Sequence, residues 1–140
     1  MLYLDSSALV KRYIREAGSD LVQSAIQSDP YVATSIMSVV EVRAAIAAAV
    51  QAGRIPDVTS VLSAFRNHRE QYLLIGVNAR LVDEAAEVAE RHALRGYDAV
   101  QLASALTAAR ATSGDITFGT FDRAMYRAAL TEGLALLPLA

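Results

Sequence analysis

The chain has 140 residues, 54% of them hydrophobic, with a formal net charge of −2. That length predicts a single domain over residues 1–140 with a buried core; no apolar run approaches the ~18 residues that span a bilayer and no basic-then-apolar leader is visible, so the expectation is a compact cytoplasmic protein. Cysteine is absent, which excludes disulfides and thiolate metal sites and leaves only oxygen ligands or one of two histidines for any metal.

The elements alternate along the chain. "LYLD" (2–5) is a short apolar run that ends on a carboxylate, followed by "SSALVKRYI" and "GSDLVQSAIQ", whose apolar residues recur at spacings of three and four. "YVAT" (31–34) is the second strand candidate. Two helical segments follow it, the Ala-rich "SVVEVRAAIAAAVQAG", closing at Gly53, and "IPDVTSVLSAFRNHREQ". "YLLIGV" (72–77) precedes a second helix pair, "ARLVDEAAEVAERHALRG" and "YDAVQLASALTAARATSG", predicted to close at Gly96 and Gly114. "ITFGT" (116–120), the helix "FDRAMYRAALTEG" closing at Gly133, and "LALLPL" (134–139) complete the chain. Short strands buried on both faces and separated by helices predict an α/β domain, a mostly parallel sheet with helices on both faces. The 27 alanines suit close helix packing.

In an open parallel sheet, ligands bind outside the carboxyl ends of the strands. Asp5 ends the first strand, Glu41 lies in the opening turns of the helix after the second, Asp122 follows "ITFGT" by two residues, and Asp98 opens "YDAVQLASAL". Each also has a purely local explanation. Asp5, Ser6 or Ser7 caps the first helix, Ser38 and Glu41 match a capping box, and Asp98 and Asp122 are first-turn acids that favour the helix dipole. Asp115 competes with Asp122, but it precedes its strand and belongs at the opposite edge. His68 and His92 fall late in charged helices, where surface or dipole roles are expected, and neither is assigned to a site.

Taken in this order and at these spacings, "LYLDSSALV", "VVEV", "YDAVQLASAL" and "TFGTFDRAM" resemble the PIN-domain family, specifically the VapC toxins of toxin–antitoxin pairs, over essentially the whole chain. The resemblance implies a three-layer α/β/α fold around a five-stranded parallel sheet. It also implies a metal-dependent ribonuclease, with Asp5, Glu41, Asp98 and Asp122 as the acidic site and Ser6 and Thr120 as polar neighbours. The placement of Asp98 at the same rim comes from the resemblance alone. A VapB-like antitoxin and a homodimer are its implied partners.

Four crowded carboxylates repel one another unless a cation compensates them, and an all-oxygen donor set suits Mg²⁺ or Mn²⁺. Such an ion would assist phosphodiester hydrolysis of RNA, with Asp5, Asp98 and Asp122 as ligands and Glu41 completing the shell or orienting water. Setting those four acids aside leaves 11 acids against 13 bases, of which 12 are Arg. Lys11, Arg12, Arg15, Arg43, Arg95 and Arg123 lie near the acids in sequence and are the candidates for RNA phosphate contacts. Other enzyme patterns fit poorly. A haloacid-dehalogenase-like phosphotransferase wants Asp where Ser7 stands, a receiver domain wants a late lysine where the only one is Lys11, and no G-x-G-x-x-G follows the first strand. The remaining alternative is a catalytically inactive PIN-fold binding or scaffold module.

Overall fold

In the computed structural model, which describes residues 1–138, strand β1 (Leu2–Leu4) lies at the centre of a parallel sheet and alternates its side chains between two cores. Leu2 and Leu4 face one, among Leu9, Val22, Ile26, Val42, Ile46 and Phe65. Tyr3 faces the other, with Ala33, Leu102, Phe118 and Met125. The two-residue period of a strand buried on both sides thus divides the interior into two layers.

The first core is covered by α1 (Ser6–Leu9), a 3₁₀ turn (Val10–Arg12), α2 (Ser19–Ser28), α3 (Ser38–Gln51) and α4 (Val58–Arg69). The second is covered by α5 (Ala79–His92), α6 (Gly96–Ala111) and α7 (Arg123–Thr131). Strands β2 (Val32–Ser35), β3 (Leu73–Ile75), β4 (Thr117–Gly119) and β5 (Ala135–Leu136) complete the sheet in the order β3-β2-β1-β4-β5, every pairing parallel. This is the three-layer, five-stranded architecture that the motifs implied. Leu139, the last residue of the predicted fifth strand, lies outside the described residues. Among the described residues no helix is long and apolar enough to cross a membrane.

The chain winds outward from β1 through β2 to β3, then returns across α5 and α6 to β4 on the other side of β1. The β1–β4 crevice is therefore the topological switch point, where open α/β sheets bind ligands. Close packing keeps its floor narrow. A Cβ built at Gly119 would meet Leu4 Cδ2 at 2.7 Å and Leu137 Cδ1 at 3.0 Å. Gly119→Ala is expected to lower stability by about 1–3 kcal/mol through overpacking, read as a lower denaturant midpoint at unchanged slope. The alanines act as expected: Ala99, Ala103, Ala105 and Ala108 of α6 are fully buried.

Three local expectations are corrected. Gly96 does not close α5; it begins α6, while Ala93 takes the left-handed position at φ 53°. The edge strands are less buried than predicted, with Leu73 exposed on β3. The first helix is one α turn followed by a 3₁₀ turn.

Candidate active site

Asp5 sits where β1 gives way to α1, with an extended backbone, and its Oδ1 accepts from the Ala8 amide at 3.0 Å and from Ser7 Oγ at 2.6 Å. Asp122 occupies the equivalent place after β4, where its Oδ1 accepts from the Met125 amide at 2.8 Å and caps α7. Both acids are helix caps, the local role expected of Asp5, whereas Asp122, expected inside the first turn of α7, stands just before it as the N-cap. Capping does not exhaust them, because a carboxylate has a second oxygen. Ser7 joins the two strand ends: its hydroxyl accepts from the Phe121 amide at 2.9 Å and lies 3.4 Å from Thr120 Oγ1, which accepts from the Asp122 amide at 3.1 Å.

Glu41 comes from the first turn of α3 and Asp98 from the first turn of α6. Asp5, Glu41, Asp98 and Asp122 all line one pocket of about 300 Å³, together with Ser6, Ser7, Val10 and Gln101. The long crossover through α5 and α6 thus carries Asp98 to the β1–β4 rim, the one placement that strand position alone did not give.

The capping box at Ser38 does not form. Ser38 is fully buried, and its hydroxyl contacts Thr34 Oγ1, Gln101 Nε2 and Ser6 Oγ. Glu41 instead accepts from Gln101 Nε2 at 3.2 Å.

Electrostatically the pocket is strained. Burial pushes the Asp5 carboxyl up to about 6 against the hydrogen bonds of Ser7, Thr120 and Ala8, and the Asp98 charge adds to the rise. Asp98 is raised by burial and then by Asp122, with Arg95 opposing and Glu41 contributing. Among the described residues none of the four acids is in a salt bridge. Among those residues, too, no three acids or histidines stand close enough to form a ready-made metal cage. Hard carboxylate oxygens without a complete cage suit a hydrated divalent cation, which takes one or two carboxylates and keeps several waters.

The basic candidates divide. Lys11 pairs with Glu16 at 2.8 Å and stacks on Phe121, Arg12 donates to Tyr72 Oη at 2.7 Å, and Arg15 pairs with Asp20 at 2.7 Å. Arg43, Arg95 and Arg123 are exposed and form no ion pair among the described residues. Asp115 is exposed at the N-terminal side of β4 and does not line the pocket. His92 bonds Glu132 at 2.6 Å, and His68 Nδ1 lies 3.1 Å from the Tyr13 hydroxyl.

Sequence reasoning missed Ser7 and Gln101. Gln101 follows Asp98 by three, so the two share a helix face. A lone amide inside "AVQLASAL" was the available signal.

A strand-end acid pair at the switch point of a β3-β2-β1-β4-β5 sheet, met by acids from α3 and α6, defines a class, and residues 2–130 match the PIN domain. The chain belongs to the PIN domain family. It is 32% identical over 145 residues to Ribonuclease VapC45 of Mycobacterium tuberculosis (strain CDC 1551 / Oshkosh) and to Ribonuclease VapC49 of strain ATCC 25618 / H37Rv, covering 99% of this chain and 95% of each relative. The resemblance to VapC proteins carried by the motifs is thereby borne out. Among solved structures it is similar to PAE2754 from Pyrobaculum aerophilum (TM-score 0.65, 20% identity, 97% of this chain and 83% of that one). It is also similar to VapBC2 from Rickettsia felis bound to a DNA fragment from their promoter (TM-score 0.62, 14% identity, 97% of both chains). FitAcB from Neisseria gonorrhoeae is similar as well (TM-score 0.57, 16% identity, 99% of this chain and 98% of that one).

Proposed function

We propose that this protein is a divalent-metal-dependent endoribonuclease, the toxin of a VapBC-type toxin–antitoxin pair in the cytoplasm. The observation that carries the reading is the convergence of Asp5, Glu41, Asp98 and Asp122, from four separate elements, on one pocket at the β1–β4 switch point. The similarity to two proteins named ribonucleases supports the choice of RNA.

Of the acids that line the pocket, Asp5, Asp98 and Asp122 are the candidates to hold Mg²⁺ or Mn²⁺, directly or through the ion's waters. When bound, such an ion supplies charge neutralisation at the scissile phosphate and a lowered pKa for a nearby water. The protein's own residues do the rest. The end of β1, the Ser7 hydroxyl and the Ala8 amide fix Asp5. Glu41, hydrogen-bonded by Gln101, orients the attacking water and takes its proton. Water adds to phosphorus in line, the bond to the leaving ribose oxygen breaks, and that oxygen receives a proton. Exposed Arg43 on α3, Arg95 just before α6 and Arg123 at the start of α7 neighbour the acids in sequence and are the candidates for RNA phosphate contacts.

The partner of this reading is a VapB-like antitoxin, supported by the fold shared with VapBC2. A second copy of the chain is a further partner, supported by the apolar groove between α5 and α6, where Val82 and Tyr97 are exposed. Incubation of the purified chain with total cellular RNA is expected to give cleavage with Mn²⁺ or Mg²⁺ that stops on chelation. Expression alone should slow growth, and co-expression of the small reading frame beside it should restore growth. Tight RNA binding without cleavage under any divalent ion would establish the inactive binding module instead.

A further inference from the structure

The polar residues beneath the acidic pocket form one connected buried chain, and counting its protons fixes its direction. Thr34 Oγ1 donates its single proton to the Leu4 carbonyl at 2.7 Å, so in its 2.6 Å contact with Ser38 the serine is the donor. Ser38 then has no proton left for Ser6, and Ser6 donates across their 3.3 Å contact. The Gln101 nitrogen lies 2.8 Å from Ser6 Oγ, 2.9 Å from Ser38 Oγ and 3.2 Å from Glu41 Oε1. Ser6 takes one of its two protons. Ser38 accepts from Ser6 and has a second lone pair, so the other amide proton is shared between Ser38 Oγ at 2.9 Å and Glu41 Oε1 at 3.2 Å.

The other end of the amide is anchored. Tyr3 donates to Gln101 Oε1 at 2.8 Å, and it stays a donor because burial pushes its hydroxyl well above the ordinary value. Turning the amide over would set its oxygen beside Glu41 Oε1, oxygen against oxygen, and its NH₂ against the Tyr3 hydroxyl that donates to it. Tyr3, Thr34, Ser38 and Gln101 are each 3% exposed or less, so this network is held by packing as well. Within α6 the amide stands among buried Ala99, Leu102, Ala103 and Ala105, and its buried partners are Tyr3, Ser6 and Ser38. The charged group it reaches is Glu41.

We propose that Gln101 is a positioning residue: anchored by Tyr3, its amide holds the Glu41 carboxylate in a fixed orientation at the pocket wall. The inference rests on the nuclease reading of that pocket. Outer partners of this kind are typically worth 10–100-fold in activity. Gln101→Met is therefore expected to lower the rate of RNA cleavage at saturating Mn²⁺ by about 10–100-fold in the native background. In a Glu41→Gln background it should cost less than about 2-fold further, because the group it acts through is gone. Tyr3→Phe keeps the ring stacked on Phe118 and removes only the anchor, so it gives the same pattern at a smaller loss and serves if the methionine variant folds poorly.

A readout without catalysis accompanies these rates. The side-chain amide signals of Gln101 in a ¹⁵N-labelled sample should move on Glu41→Gln and hold still on Asp122→Asn. Equal fold-losses in both backgrounds, or amide signals indifferent to Glu41, overturn the positioning role while the nuclease reading stands. A native chain that cuts no RNA with Mn²⁺ overturns the nuclease reading, and the positioning role with it.

Discussion

Asp5→Asn is expected to lower Mn²⁺-dependent RNA cleavage by at least about 10²–10³-fold, the scale on which removing one preorganised charge-stabilising group acts. The substitution isolates charge from structure. Asparagine caps helices as well as aspartate, and its Oδ1 still accepts from the Ala8 amide and Ser7 Oγ, so far-UV circular dichroism should stay native. Asp98→Asn should behave alike, since Asp98 is in the same pocket but caps nothing. Asp115→Asn is the control: that side chain is exposed and lies on the other side of β4, and its loss should leave the rate unchanged. A loss at Asp115 equal to that at Asp5 would place the reacting centre at the opposite edge of the sheet.

What the sequence made legible was whatever depends on short-range order. A strand buried on both faces is readable from "LYLD", and a carboxylate at its end is thereby located at the rim. Asp122 is readable for the same reason after β4. Asp98 was not, because its position depends on how α5 and α6 cross from one edge of the sheet to the other side of β1, and no local pattern encodes a crossover. Ser38 shows a related failure. The capping box is a local bargain between a hydroxyl and two amides, and here the buried Thr34 and Gln101 side chains claim that hydroxyl first. Leu94 explains the misplaced helix end. It packs against the second core, and its amide bonds the Ala89 carbonyl at 3.2 Å, so the chain has to turn at Ala93, before glycine is reached. The local rules were sound in each case and were overridden by tertiary partners.

The stability of the metal-free protein should fall as pH rises through the range in which Asp5 ionises. With an ordinary value of 3.8 and a folded value of about 6, the folded state holds the Asp5 proton between those limits while the unfolded chain has lost it. Folding stability therefore declines from about pH 4 to about pH 6 and levels off above, the total being about 3 kcal/mol for two units of pKa. Glu16 acts in the opposite sense, since its hydrogen bond from Lys11 holds its carboxyl low and its stabilisation is present at higher pH. Comparison with Asp5→Asn removes that contribution, because it is common to both proteins; the native chain should lose the difference and the variant should not. A cation reverses the trend. At 100 times its dissociation constant, Mn²⁺ that binds only the folded state adds about 2.7 kcal/mol, which raises the melting temperature of a domain of this size by several degrees. Asp98→Asn relieves part of the repulsion in advance, so its metal-free form should melt higher than the native protein and gain less from Mn²⁺. If the acids served only as helix caps and first-turn charges, Mn²⁺ would change little and Asp98→Asn would cost about 0.3–1 kcal/mol. Melting curves of the native chain, Asp5→Asn and Asp98→Asn from pH 4 to pH 8, each with chelator and with Mn²⁺, separate the two cases. A native protein indifferent to Mn²⁺ above pH 6, with an Asp98→Asn variant that melts lower, would remove the metal from this pocket.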